Sequence, residues 1–135
     1  MLALVVAGAG YFGLRRFAHR DVTMMAPVAG SPDASAPAGV RIKVEVLNAT
    51  LTKGLARRAT TYLRDRGFDV VETGTYKKQL DKTRVLDRSS HPEWAKLVAA
   101  AFAGTVEEKP DGSRYLDVTV LVGADWRPPP LPFYP

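Results

Sequence analysis

The 135-residue chain contains no cysteine and only two histidines, His19 and His91. The first absence excludes disulfides, cysteine-ligated zinc, iron–sulfur clusters and thiol catalysis. Neither histidine sits in an acidic cluster, so His19 reads as a linker residue and His91 as a helix-start residue, and no metal site is expected. Carboxylates are scattered along Glu45, Asp65, Asp69, Glu72, Asp81 and Asp87 without a paired arrangement, and no nucleophile stands beside a base. No catalytic residue and no cofactor is therefore expected. A long hydrophobic run is also missing: the apolar stretch at residues 1–14 stops at Arg15-Arg16, short of the roughly 17 to 20 residues that a membrane-crossing helix needs.

Positive charge is abundant. The net charge is +5 and the isoelectric point near 9.7, which favours anionic partners: nucleic acid, phospholipid head groups or acidic wall polymers. Arg15, Arg16 and Arg20 directly follow the apolar stretch and fit membrane-flanking charge. Residues 1–18 accordingly read as a membrane anchor or signal-like segment, an uncleaved anchor with further apolar residues upstream reconciling its short length. A Pro/Ala/Ser linker over 19–39, with Pro27, Pro32 and Pro37, separates it from a domain at 40–126. Residues 127–135 form a Pro-rich tail that suits polyproline II.

Within the domain, residues 41–48 alternate Ile42, Val44 and Val46 against Arg41, Lys43 and Glu45, predicting a strand with one face buried and Glu45 exposed. Leu55, Ala59, Tyr62 and Leu63 recur at helical spacing and predict a helix over 52–66, stopped at Gly67. Strands are expected at 68–72, 84–87, 105–108 and 115–122. Ser90 and Glu93 have capping-box spacing, opening a helix whose apolar face is Trp94, Leu97, Val98, Ala101 and Phe102. A turn is expected at 110–113. The order β-α-β-β-α-(β)-β predicts an α/β (α+β) two-layer sandwich of ferredoxin-like β-α-β-β-α-β type, four to five strands with two helices on one face.

Two stretches are candidate binding elements. Asn48, Thr50, Lys53 and Gly54 form a small-residue turn before the first helix, with Arg57 just inside it, an arrangement suited to an anion. The competing reading makes Thr50 or Thr52 a helix N-cap, Asn48 a turn-former and Gly54 a point of close helix–sheet approach. Lys53-Gly54-Leu55 is not a Walker loop. The second stretch is the basic loop carrying Lys77, Lys78 and Lys82, with Arg84 after it.

Three segments taken in order resemble a known family. Val44-Glu-Val-Leu-Asn-Ala-Thr-Leu-Thr-Lys-Gly-Leu-Ala56, Leu63-Arg-Asp-Arg-Gly-Phe-Asp-Val-Val71 and Asp117-Val-Thr-Val-Leu-Val-Gly-Ala-Asp125 are similar to the LytR C-terminal domain family. That pattern is a V-x-V-L-N strand, a G-L-A helix, a G-F-x-V-V strand and a closing strand ended by G-x-D. The resemblance implies an extracytoplasmic module of the bacterial envelope, here standing alone without the phosphotransferase domain of LytR-CpsA-Psr proteins. The expected function is a non-catalytic, membrane-tethered binding or accessory module contacting anionic cell-wall polymer or an envelope protein. A SPOR-like peptidoglycan-binding domain is the sister reading. A basic nucleic-acid-binding domain is the alternative of another class. Against it, no aromatic pair sits at stacking spacing on a strand, and Glu45 and Asp117 would share the wet face.

Overall fold

The computed structural model describes residues 30–31, 34–110 and 115–129. The apolar segment at 1–18, most of the turn expected at 110–113 and most of the Pro-rich tail lie outside them. Among the described residues, no helix is long and apolar enough to cross a membrane.

Five strands and two helices follow one another: β1 (Lys43–Asn48), α1 (Leu55–Asp65), β2 (Asp69–Thr75), β3 (Arg84–Asp87), α2 (Pro92–Phe102), β4 (Thr105–Glu108) and β5 (Val118–Val122). They build a mixed five-stranded sheet in the order β2-β1-β5-β3-β4. The two-layer α+β sandwich is thus present, but its strands are arranged differently from the ferredoxin-like expectation. A split β-α-β leaves room for a strand between its two strands. Here β1 pairs directly and in parallel with β2, and β3 pairs directly and in parallel with β4. The last strand, β5, lies in the middle, parallel to β1 and antiparallel to β3. Two β-α-β units therefore run in opposite directions on either side of β5. Right-handed crossovers outward from two antiparallel strands put both helices on the same face of the sheet. Their contact agrees: the Tyr62 hydroxyl of α1 donates to the Ala101 carbonyl of α2 at 2.7 Å.

The core fills the space between the layers. Val44 and Val46 of β1, Val85 of β3 and Val118, Val120 and Val122 of β5 point at the helices and are fully buried. Leu55, Ala59, Tyr62 and Leu63 meet them from α1, and Ala95, Val98, Ala99 and Phe102 from α2. Each buried valine or leucine adds roughly 1.5–3 kcal/mol of transfer free energy. Trp126, beyond the last strand, closes this layer. Its ring lies 5.5 Å from Tyr62 and 5.0 Å from Phe102. The alternation of β5 gives no sign that a residue of the following turn belongs to the core.

Several local expectations give way to longer-range partners. Helix α1 begins at Leu55 rather than Thr52, with Gly54 as its N-cap in a left-handed conformation (φ 84°) and no side-chain cap. Nothing would lie within 4 Å of a Cβ at Gly54, so the glycine serves φ and not close packing. The capping box of Ser90 and Glu93 does not form; His91 is the N-cap of α2 and has no side-chain cap. Instead Asp87 Oδ1, at the end of β3, accepts from the backbone N–H of Ser89 and His91 at 3.3 and 3.1 Å. The last part of the expected linker also lies against the domain. Ser31 N donates to Ala100 O, Ala36 N donates to Arg66 O, and Ala34 and Ala36 pack on the core.

Candidate functional site

The carboxyl ends of β2, β1 and β5 point the same way, and three connections gather there. In open sheets of this kind, that end is where ligands are commonly received. The connection after β1 is held by its own side chains. Asn48 Oδ1 accepts from Thr50 N at 3.0 Å and from Thr50 Oγ1 at 2.7 Å, while Asn48 Nδ2 donates to Thr52 O at 2.8 Å. Thr50 Oγ1 in turn accepts from Thr52 N at 3.1 Å. Asn48 is thus the turn-former expected of it, whereas Thr50 and Thr52 shape the turn without capping α1, whose N-cap is Gly54. The turn leaves Leu51 standing out, 81% exposed, with Lys53 beside it.

The basic loop crosses the whole end of the sheet. It leaves β2 at one edge, passes β1 through hydrogen bonds from Tyr76 N to Asn48 O and from Leu80 N to Ala49 O, and passes β5 where Ala124 N donates to Leu80 O. It then enters β3. Three strand spacings separate β2 from β3, about 14 Å. The structure therefore brings Lys77 and Lys78 to the end where Lys53 and Arg57 lie, and carries Lys82 toward the other edge. There Lys82 lines a hollow of about 530 Å³ with Gln79, Arg84, Thr105 and Glu107, bridged by an Arg84–Glu107 ion pair at 3.9 Å. At the β2 edge, Gly54, Arg57, Thr60, Thr61 and Arg64 of the α1 region and Thr73 of β2 line a second, open groove of about 460 Å³.

Charge at this end is not neutralised internally. Lys53, Arg57, Lys77, Lys78 and Lys82 are exposed, and none belongs to an ion pair among the described residues. The first turn of α1 contains no acidic residue. Cations at that end of a helix meet the positive pole of its dipole, an unfavourable placement. The loop's own carboxylate is Asp81, whose carbonyl accepts from Asp125 N at 3.0 Å.

The opposite, helix-free face of the sheet carries both signs, Glu45, Glu72 and Glu107 beside Arg84 and Arg88. Glu45 and Glu72 are register partners on β1 and β2, and Thr119 Oγ1 donates to Glu45 Oε1 at 3.0 Å. Glu45 is half-buried rather than exposed, correcting the sequence reading. Burial is the main force lifting its carboxyl above the ordinary range; the Glu72 carboxylate adds to this, and the Thr119 hydroxyl opposes it. Asp117 lies before β5, not in it, and accepts from Lys43 N at 2.9 Å.

Residues 41–126, more than half of the chain, match the family model described as LytR cell envelope-related transcriptional attenuator. The chain belongs to the LytR C-terminal domain family. No curated protein and no solved structure matches it.

The fold explains why the motifs of this LytR C-terminal domain stand where they do. Its closing Gly123-Ala-Asp125 is a clamp: a Cβ at Gly123 would lie 2.3 Å from the Lys82 carbonyl carbon, so only glycine admits that strand. Asp125 then reaches back to Thr83, which is fully buried. The asparagine of the V-x-V-L-N strand shapes the turn before α1, and the alanine after it is buried, its N–H donating to Val122 O at 2.9 Å. Sequence reasoning missed Arg64, Thr60, Thr61 and Thr73 as groove residues. A signal existed, since Lys53, Arg57, Thr60, Thr61 and Arg64 recur along one side of α1.

Proposed function

We propose that this LytR C-terminal domain is a non-catalytic, membrane-tethered binding module of the cell envelope. Its basic end, Lys53, Arg57, Lys77, Lys78 and Lys82, contacts anionic cell-wall polymer. One observation carries the reading: five exposed cations are strung along one end of a sheet in an envelope-related family, with no carboxylate paired to them among the described residues. Side chains that repel one another and satisfy nothing inside the domain are suited to an external anion. Glu45 and Glu72, register partners on the helix-free face, argue against nucleic acid lying across that part of the sheet.

The tether supports the same placement. Ser31 donates to Ala100 at the C-terminal turn of α2, and that turn lies at the end of the domain where the basic connections gather. The chain from an anchor at residues 1–18 thus enters the domain at its basic end, which suits contact with polymer near the membrane. Residues 19–29 span at most about 40 Å when fully extended.

The test is sedimentation of the full-length protein, in detergent, with purified wall sacculi that retain or have lost their covalently attached anionic glycopolymer. Retention only on polymer-bearing sacculi is expected. Equal retention on both supports the peptidoglycan-binding reading instead, and salt-sensitive retention on DNA but on neither wall preparation supports the nucleic-acid reading.

A further inference from the structure

The groove beside α1 runs along the helix, away from the basic ridge across the sheet end. Arg57, Thr60, Thr61 and Arg64 line one wall, Thr73 of the edge strand β2 lines the other, and Gly54 lies at the mouth beside Lys53. Seven residues separate the two arginines, about 10 Å along the helix axis, and Lys53 extends the row beyond the first turn. The lining side chains are guanidinium and hydroxyl groups. Arg64 uses one nitrogen to donate to Val70 O at 3.0 Å, which fixes its stem against the sheet. At the far end the row stops among acids, Asp65 and Asp69, the latter paired with Arg41.

This row works against the fold that bears it. Lys53 and Arg57 are like charges one turn apart, and Arg57 has no carboxylate partner among the described residues. An acidic side chain at position 57, in the first turn, would suit the helix better.

We propose that the groove seats a linear polyanion lengthwise, its charged units running from Lys53 past Arg57 to Arg64, so that the domain distinguishes an extended anionic chain from a single small anion. This rests on the reading that the basic end takes an anionic polymer. It adds that the chain leaves the ridge and descends along α1 and the β2 edge.

Inorganic polyphosphate of defined lengths and orthophosphate serve as probes, with binding to the full-length protein in detergent measured by calorimetry. Affinity is expected to rise with chain length and level off once the chain covers both ridge and groove, orthophosphate binding weakly throughout. Arg57→Glu and Thr73→Glu, one on each wall, should each weaken long-chain binding about tenfold and orthophosphate binding far less, because a single anion meets only one of the row's charges. Arg57→Glu should also raise the melting temperature, which a merely structural arginine would not do. If both variants bind long chains like the wild type while Lys77→Glu/Lys78→Glu does not, the groove is not the seat and the basic-end reading stands. If orthophosphate binds as tightly as the polymer, the groove takes single anions and the proposal is overturned. If the wild type binds no length of polyphosphate, both fall.

Discussion

Asp125 Oδ1 accepts hydrogen bonds from both the backbone N–H and the hydroxyl of Thr83, at 2.9 and 3.0 Å. Thr83 Oγ1 in turn accepts from Gly123 N at 3.0 Å, so the end of β5 and the start of β3 are locked across 40 residues of sequence. The basic loop hangs between that lock and β2. Its far end is pinned by a carboxylate that is not among the five cations of the proposed binding surface.

Asp125→Ala removes the one carboxylate oxygen that accepts two charge-assisted hydrogen bonds from a buried threonine. A loss of about 2 kcal/mol is expected, measured by urea denaturation, with Asp125→Asn costing about half as much because the amide oxygen still accepts. An unchanged midpoint for Asp125→Ala would show that the lock does not hold the loop.

Gly123→Ala places a methyl group against the backbone of Lys82 and Thr83, where no side-chain rotation relieves the contact. The two strands must part, at a cost of about 2–4 kcal/mol. The equivalent change at Gly54 meets no atom within 4 Å, and its cost is limited to the left-handed backbone, about 1 kcal/mol. Thermal melts of the two variants should fall in that order.

Trp126→Ala empties the space between Tyr62 and Phe102. A loss of about 3–5 kcal/mol is expected by calorimetric unfolding, as for other large aromatic truncations. Retention of full stability would mean that the helical layer closes without it.

Glu45 makes stability depend on pH in the direction opposite to a salt-bridged carboxylate. Its folded-state affinity for a proton exceeds that of the unfolded chain because burial, and then the neighbouring Glu72, disfavours the charge. Stability therefore falls as pH rises from the ordinary glutamate value through the raised one. Glu45→Gln, which keeps an acceptor for Thr119, should be more stable than wild type at neutral pH and lose that advantage in acid. Denaturation midpoints across pH check this, and parallel curves for the two proteins would refute it.

Much of this was legible in the sequence because it depends on near neighbours. The alternation around Val44 and Val46 marks β1, the boundaries of β3 and β4 agree with their patterns, and the i, i+4, i+7, i+8 row of Leu55, Ala59, Tyr62 and Leu63 gives the buried face of α1. Other features were lost to distant partners. Asp87 displaces the capping box by binding His91 N from the neighbouring strand end. Central β5 buries every residue from Val118 to Val122, because β1 and β3 flank it, although Val118, Val120 and Val122 face the helices as their alternation predicts. Strand order was equally hidden, since periodicity names a face and not a neighbour. For the candidate site, each cation was visible as a charge, whereas the path of the basic loop across the sheet end is set by backbone bonds to Asn48, Ala49 and Ala124 that no motif announces.

The central claim is that the basic end holds anionic envelope polymer by its charge. It is tested most directly by sedimenting the full-length protein and its Lys77→Glu/Lys78→Glu variant with polymer-bearing sacculi over a series of salt concentrations. The account predicts that wild-type retention falls steeply with salt and that the variant binds at least about tenfold more weakly with a shallower slope, its melting temperature unchanged. Equal retention of both proteins at every salt concentration would contradict it.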